Sequence, residues 1–141
     1  MQGINLARVV LGGLVAGLIY DAAGFTTDGW LLKQDWAEAT GRLGLTAPGA
    51  GQLLWATLHG LICGLAALWM YTAMRRLHGK GYRTAAHAGL LVWLLGVLLP
   101  DLSFGTSMGF FPGRLAVSSA AGGLAGLLAG TLAGAWLYRD N

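Results

Sequence analysis

Three ionisable side chains lie inside long apolar stretches of the sequence: Asp21, His59 and Asp101. An imidazole between two carboxylates can exchange a proton near neutral pH, so this trio could form a proton or cation relay or a pocket for a small ligand. The same groups could hold a divalent ion, but their spacing does not demand a metal, and the chain has no Cys/His metal motif. The alternative is structural: a hydrogen-bonded clasp that fixes the register of neighbouring helices.

The elements that must position these residues are four apolar runs. Of the 141 residues, 55% are hydrophobic and only 11% are charged, whereas a soluble domain carries about a quarter charged residues. Each run approaches the roughly 20 residues that a helix needs to cross a bilayer core. We therefore predict an all-α fold: a single transmembrane domain (1–141) that forms an integral membrane four-transmembrane-helix bundle. The spans are 9–25, which we interpret as a retained span rather than a cleaved leader, 53–74, 85–104 and 115–138.

The longest loop, 26–51, is predicted to contain a short amphipathic helix on the outer membrane face. Asp28 could cap its start, and Pro48-Gly49 marks a turn at its end. The helix could simply cover the bundle, or it could bind a partner. Its apolar side chains recur at helical spacing: Leu32, Trp36, Ala39 and Leu43.

The distribution of Lys and Arg predicts the orientation. One side of the membrane would hold Arg8, Arg75, Arg76, Lys80, Arg83 and Arg139, and the other Lys33, Arg42 and Arg114. The richer side faces the cytoplasm by the positive-inside rule, so both termini are predicted there. The formal charge of +3 is spread over span ends, which does not indicate a nucleic-acid partner.

The ionisable residues are predicted to cluster in the outer half of the bilayer. At about 1.5 Å per residue, Asp21 lies about 20 Å, His59 about 24 Å and Asp101 about 27 Å above the inner interface. Ser118 and Ser119 fall at a similar height. We predict a polar pocket formed by these five residues, because ionisable side chains at membrane depth normally face protein or water.

Glycine, with 24 copies, predicts close helix packing. Small residues at four-residue spacing form ridges that let helix backbones approach. The ridges could be used within the chain or between chains. They consist of Gly13 and Gly17 in span one, Gly60 and Gly64 in span two, and Ser118, Gly122, Gly126, Gly130 and Gly134 in span four.

Span three contains Pro100, which cannot donate a hydrogen bond to the carbonyl of Gly96. A kink or an early helix end is expected there. His59 could also ligate a haem or another flat macrocycle, although a lone histidine on an apolar helix is more often a hydrogen-bonded core residue. The sequence therefore does not identify a cofactor. Cys63 is the single cysteine, and no nucleophile–base pair indicates an enzyme.

Four stretches of the chain have a characteristic order: 9–18 (VVLGGLVAGL), 88–95 (AGLLVWLL), 109–115 (GFFPGRL) and 132–139 (LAGAWLYR). In this order they resemble a group of small bacterial four-helix inner-membrane proteins to which no function is assigned. The resemblance spans nearly the whole chain and implies a multi-pass protein of the bacterial inner membrane, with no catalytic residue or cofactor carried over.

Abundant packing surface and sparse chemistry favour a non-catalytic accessory or structural subunit. It would pack through its glycine faces into a homo-oligomer or a larger membrane complex. A small transporter or proton conduit is the alternative, and a haem- or pigment-binding redox or photosynthetic subunit is a further one.

Overall fold

The computed structural model describes residues 4–138, and these contain helices and no strand. In chain order the elements are α1 (Leu6–Thr26), a π-helical turn (Thr27–Leu31), α2 (Lys33–Arg42), α3 (Ala50–His78), α4 (Tyr82–Trp93), a π-helical turn (Leu94–Leu98), α5 (Leu99–Leu102), a π-helical turn (Ser103–Ser107) and α6 (Gly113–Leu137).

Four helical segments of the described chain are long and apolar enough to cross a membrane, which confirms the predicted all-α four-helix bundle. They are Leu6–Leu31, Ala50–His78, Tyr82–Ser107 and Gly113–Leu137. The predicted spans are mostly shorter than these helices. A span bounded by hydropathy leaves out polar residues of the first and last helical turns, such as Gln52 and Arg83, although these residues are part of the helix. The Oε1 atom of Gln52 also accepts a hydrogen bond from the backbone N–H of Gly49 at 3.0 Å, at the start of α3.

Consecutive spans run antiparallel around a four-cornered bundle. α1 packs on α3 and α6, and α4 packs on the same two helices, while α3 and α6 also approach across the diagonal. Residue 4, the turn at 79–81 and Tyr138 meet at one end, here called the terminal end. The long loop and the segment 108–112 meet at the loop end. Arg139, one of the cations predicted for the terminal end, lies outside the described residues.

The glycines of span four face α1 within the same chain. A Cβ built on Gly134 would lie 2.5 Å from the carbonyl oxygen of Gly12, so a side chain there would force the two helices apart. Toward the loop end the nearest atoms change from backbone to side chain, because Ala23 and Thr27 face the last two glycines. The facing positions are Gly134 with Gly12, Gly130 with Ala16, Gly126 with Tyr20 and Ala23, and Gly122 with Thr27.

The glycines of spans one and two face each other in the same way. A Cβ on Gly17 would lie 2.6 Å from the Cα of Leu61, and one on Gly13 would lie 2.8 Å from the Cα of Leu65. A Cβ on Gly60 would overlap the carboxylate of Asp21. The glycines at which an added Cβ would lie less than 3.0 Å from a backbone atom of a neighbouring helix are called the glycine seam: Gly12, Gly13, Gly17, Gly64, Gly130 and Gly134.

Span three does not end at Pro100. It continues to Ser107, with a π-helical turn on each side of the short helix that contains the proline. Of the two outcomes expected at Pro100, a kink or an early helix end, the early end does not occur. A π-helical turn absorbs an interrupted hydrogen-bond ladder without stopping the helix. The span is anchored to α6 by Trp93, whose Nε1 donates to the carbonyl of Ala120 at 2.7 Å.

The loop helix α2 forms as predicted, but its cap does not. Leu32 occupies the N-cap without a side-chain hydrogen bond, whereas Asp28 lies in the π-helical turn that extends the first span. α2 packs on its own bundle, with Ala39 buried and the Trp36 ring 5.2 Å from that of Phe111. These contacts agree with the covering role among the two interpretations of this helix.

At the terminal end, one cation joins three elements. The guanidinium of Arg75 lies 5.6 Å from the ring centroid of Tyr71 and 4.9 Å from that of Tyr138. The backbone N–H of Asn5 donates to the Tyr138 hydroxyl at 3.2 Å. The start of α1 and the ends of α3 and α6 are thereby held together.

Candidate functional site

The proline of span three and the histidine of span two form one structural unit. Pro100 lacks the N–H that would bond to the carbonyl of Gly96 in a regular α-helix, and Nε2 of His59 lies 3.2 Å from that carbonyl oxygen. A carbonyl only accepts, so Nε2 carries the hydrogen in this bond. His59 therefore supplies a donor to the position where the proline removes one.

The side chains around His59 come from α1 and α3. The Tyr20 ring meets the imidazole edge-on at a centroid distance of 6.3 Å, and the sulfur of Cys63 lies 3.6 Å from Nε2. Because Nε2 already donates to Gly96, the sulfur can only share that hydrogen as a weak acceptor. Tyr20, Asp21, His59 and Cys63 are called the His59 cluster.

Asp21 is the unsatisfied member of this cluster. Its carboxylate rests on the Cα of Gly60, next to His59 in the chain. Its Oδ2 atom is buried and has no hydrogen-bond partner among residues 4–138. A buried carboxylate oxygen without a partner is costly, so such groups often mark a bound proton, water or ion.

The other predicted pocket residues gather around a different carboxylate. Asp28 accepts from Ser119 Oγ at 3.0 Å and from Trp36 Nε1 at 3.1 Å. Asp28, Trp36 and Ser119 are called the Asp28 clasp. It joins the extended first span, α2 and α6, and both of its carboxylate oxygens have a donor.

Asp101 and Ser118 take less definite positions. Asp101 is half-buried, and its side chain forms no hydrogen bond within residues 4–138. Ser118 is half-buried, and its side chain contributes no hydrogen bond within the described chain. Of the five predicted pocket residues, Asp21 and His59 are thus brought together and Ser119 joins Asp28. Asp101 and Ser118 join neither group by a hydrogen bond within the described chain.

Four members of these two groups were not predicted as pocket residues: Tyr20, Cys63, Asp28 and Trp36. The sequence contained a signal for Asp28, because it follows Asp21 by seven residues and so lies on the same helix face two turns later. That signal requires the first span to continue past Phe25. Tyr20 carried none, since a tyrosine near a span end is ordinary in membrane proteins.

Metal and porphyrin binding find little geometric support here. In the region 4–138 no three His, Cys, Asp or Glu side chains are arranged to hold a metal ion. Ligation of a porphyrin through Nε2 of His59 would break the bond to Gly96. An absorption spectrum of the purified protein tests the porphyrin hypothesis directly.

Comparisons with protein-family models, with curated proteins and with solved structures found no match to this chain. The contacts described above are therefore what bears on its function.

Proposed function

We propose that this chain is a non-catalytic subunit of the bacterial cytoplasmic membrane that associates with a second copy or with a larger membrane assembly. The observation that carries the proposal is a second row of small residues on α6. Ala121, Ala125 and Ala129 recur at four-residue spacing and are exposed. Rows of this kind let a partner helix approach closely in lipid.

The alanine row, and not the glycine ridges, is the surface proposed for association. The ridge glycines on α1, α3 and α6 face other helices of the same chain. The alanines continue a stripe with Val117, Leu132 and Trp136, which are 54%, 39% and 71% exposed. A partner helix could approach the small central part of this stripe between larger residues at both ends.

Oligomeric state in a mild detergent tests the proposal. We expect the native protein to run as a dimer or larger species, and Ala125→Leu to weaken association. Overpacking of about 1–3 kcal/mol corresponds to a roughly fivefold to hundredfold weaker interaction. Ala66→Leu is the matched control, because Ala66 is also exposed and lies within α3.

Two results would contradict this assignment. One is a native protein that is monomeric and isolated without partner chains. The other is an Ala125→Leu variant that associates as the native protein does. Gly126→Leu and Gly130→Leu are unsuitable here, because both glycines face α1 of the same chain and their replacement would disturb the monomer.

The proposed orientation, with both termini in the cytoplasm, is supported by the excess of Lys and Arg at the terminal end. Cysteine labelling from outside the cell tests it in a Cys63→Ser background. Lys33→Cys at the loop end should react with an impermeant reagent, and Lys80→Cys at the terminal end should not. The reverse pattern would invert the orientation.

A second candidate function is a proton or cation conduit, favoured by the partnerless Oδ2 of Asp21 beside His59. The contacts toward the terminal end are mainly glycine and apolar, so a path through one copy would need further polar groups. Flux into liposomes should then fall in Asp21→Asn and His59→Ala but not in Asp35→Asn, which alters an exposed ion pair. Flux that survives both cluster variants excludes the cluster from the path.

A further inference from the structure

We propose that the carboxyl group of Asp21 is a proton-binding site, which holds an exchangeable proton in neutral solution. The inference rests on the His59 cluster of the second candidate function, and it names the species that is bound there. It does not require that the proton cross the membrane, so it can hold where the conduit fails.

The buried oxygen of Asp21 has room for a proton and for nothing larger. Oδ2 is buried without a hydrogen-bond partner among residues 4–138, so a water molecule or a hydrated cation cannot touch it in this arrangement. The carboxyl group also fills the space over Gly60, where an added Cβ would overlap it. A buried carboxylate without a partner costs far more free energy than a neutral polar group, and such a group normally takes up a proton instead.

Ion pairing is the other way to stabilise this carboxyl group, and it has one candidate partner. The spans carry Lys and Arg only near their ends, and α6 has no ionisable side chain between Arg114 and Tyr138. Of the titratable groups near Asp21, only the imidazole can become a cation, and no ion pair joins it to Asp21 within the described chain. These groups are Tyr20 on α1, Asp28 in the π-helical turn that follows α1, and His59 and Cys63 on α3.

The surroundings of Asp21 leave the site open on one side, which lets the proton exchange. Toward the terminal end, the glycine seam brings α1 onto the backbone of α3 at Gly17. Toward the loop end, a Cβ built on Gly24 would have no neighbour within 4 Å, and Ala56 of α3 is exposed. Asp21 itself is half-buried. A proton can therefore leave the carboxyl group toward the loop end, whereas the seam closes the opposite direction.

Infrared spectroscopy of the full chain in lipid tests the inference, because a protonated carboxylic acid has a C=O stretching band that a carboxylate lacks. We expect the native protein to show this acid band in neutral buffer and Asp21→Asn to lose it. In alkaline buffer the band of the native protein should disappear, and it should return on neutralisation. Asp28→Asn is the matched control and should leave the band unchanged, because hydrogen-bond donors already occupy both oxygens of Asp28.

Three results would overturn the inference. In neutral buffer, the difference between the native and Asp21→Asn spectra could contain a carboxylate band in place of the acid band. The acid band could persist in alkaline buffer, so that the proton would not be exchangeable. The band could also be lost in Asp28→Asn and retained in Asp21→Asn, which would assign the proton to the wrong residue.

A second variant serves if Asp21→Asn does not fold. Asp21→Glu keeps a carboxyl group and should shift the acid band instead of abolishing it, and an unshifted band would count against the site. Flux into liposomes is a separate measurement. Flux without the acid band would retain the conduit and remove the proton site, whereas the acid band without flux would do the reverse.

Discussion

The two ends of this bundle hold their helices together in opposite ways. Toward the terminal end, α1 meets α3 and α6 through the glycine seam, where the near absence of side chains brings backbones into contact. Toward the loop end, polar side chains bridge the helices: His59 reaches Gly96, and Asp28 reaches Trp36 and Ser119. Close packing needs no polar atoms in the membrane, whereas bridging brings in groups that must each find a partner.

A buried carboxylate oxygen without a hydrogen-bond partner lies where the glycine-packed region meets the region bridged by polar side chains. Asp21 lies one helical turn beyond Gly17, the last seam residue of α1, and its carboxylate occupies the space above Gly60 where a side chain of α3 would otherwise be. Its Oδ2 is the carboxylate oxygen that the described chain leaves buried without a partner. The ionisable side chain of Asp21 therefore lies at the transition between the glycine-packed region and the region bridged by polar side chains.

The largest effect should come from one methyl group in the seam. Gly17→Ala would place a Cβ 2.6 Å from the Cα of Leu61, so α1 and α3 must separate. We expect a loss of about 1–3 kcal/mol in unfolding free energy, measured by denaturation in mixed micelles. Gly24→Ala is the control on the same helix, because its Cβ would have no neighbour within 4 Å. Equal stability of the two variants would mean that α1 and α3 are not in close contact.

The Asp28 clasp should show the next largest effect. Asp28→Ala removes the acceptor of both Trp36 and Ser119. Because both bonds are only partly buried, we expect a total loss of about 1–2 kcal/mol in unfolding free energy. Faster hydrogen exchange across α2 would report its release from the bundle. Asp35→Ala breaks only the exposed pair with Arg114 and should change stability by less than about 1 kcal/mol. Unchanged exchange in Asp28→Ala would show that α2 is held by its apolar contacts alone.

Substitution of Arg75 tests whether a polar side chain also holds the helices together at the terminal end. Arg75→Gln removes a cation that lies over two tyrosine rings, and the expected loss is about 0.5–2 kcal/mol in melting experiments. Arg83 lies 5.8 Å from the single exposed ring of Tyr82, so Arg83→Gln should be close to neutral. If the two variants melt alike, the tyrosine rings do not stabilise the cation at position 75.

Much of the fold follows from the sequence, because a membrane restricts the choices. Runs of about 20 apolar residues can only be helices there, and both the four spans and α2 are present. The spacing of Gly122, Gly126, Gly130 and Gly134 indicates a packing face, but spacing does not identify the opposing helix. The first span, Leu6–Leu31, faces all four, and only the three-dimensional arrangement reveals that this face is already occupied.

The candidate site was less predictable for a similar reason. Depth estimates bring Asp21 and His59 to one level, but depth does not give the azimuth of a side chain around its helix. The extension of the first span past Phe25 moves Asp28 into the bundle, where it takes Ser119 as its partner. The role of Gly96 could be anticipated, because a proline four residues later frees its carbonyl. The sequence did not indicate that the imidazole of His59 would be the donor to this carbonyl.

The smallest and most specific effect should be the coupling between His59 and Pro100. In the native protein, His59→Ala leaves the Gly96 carbonyl without its imidazole donor, at an expected cost of about 0.6–1.7 kcal/mol. Pro100→Ala restores a backbone N–H four residues after Gly96, so His59→Ala should cost less in that background. Thr57→Ala on α3, which removes a bond to its own helix at Leu53, should be additive with Pro100→Ala. Additivity of His59→Ala with Pro100→Ala would instead mean that the imidazole is held by Tyr20 and Cys63, and that the proline acts only on its own helix.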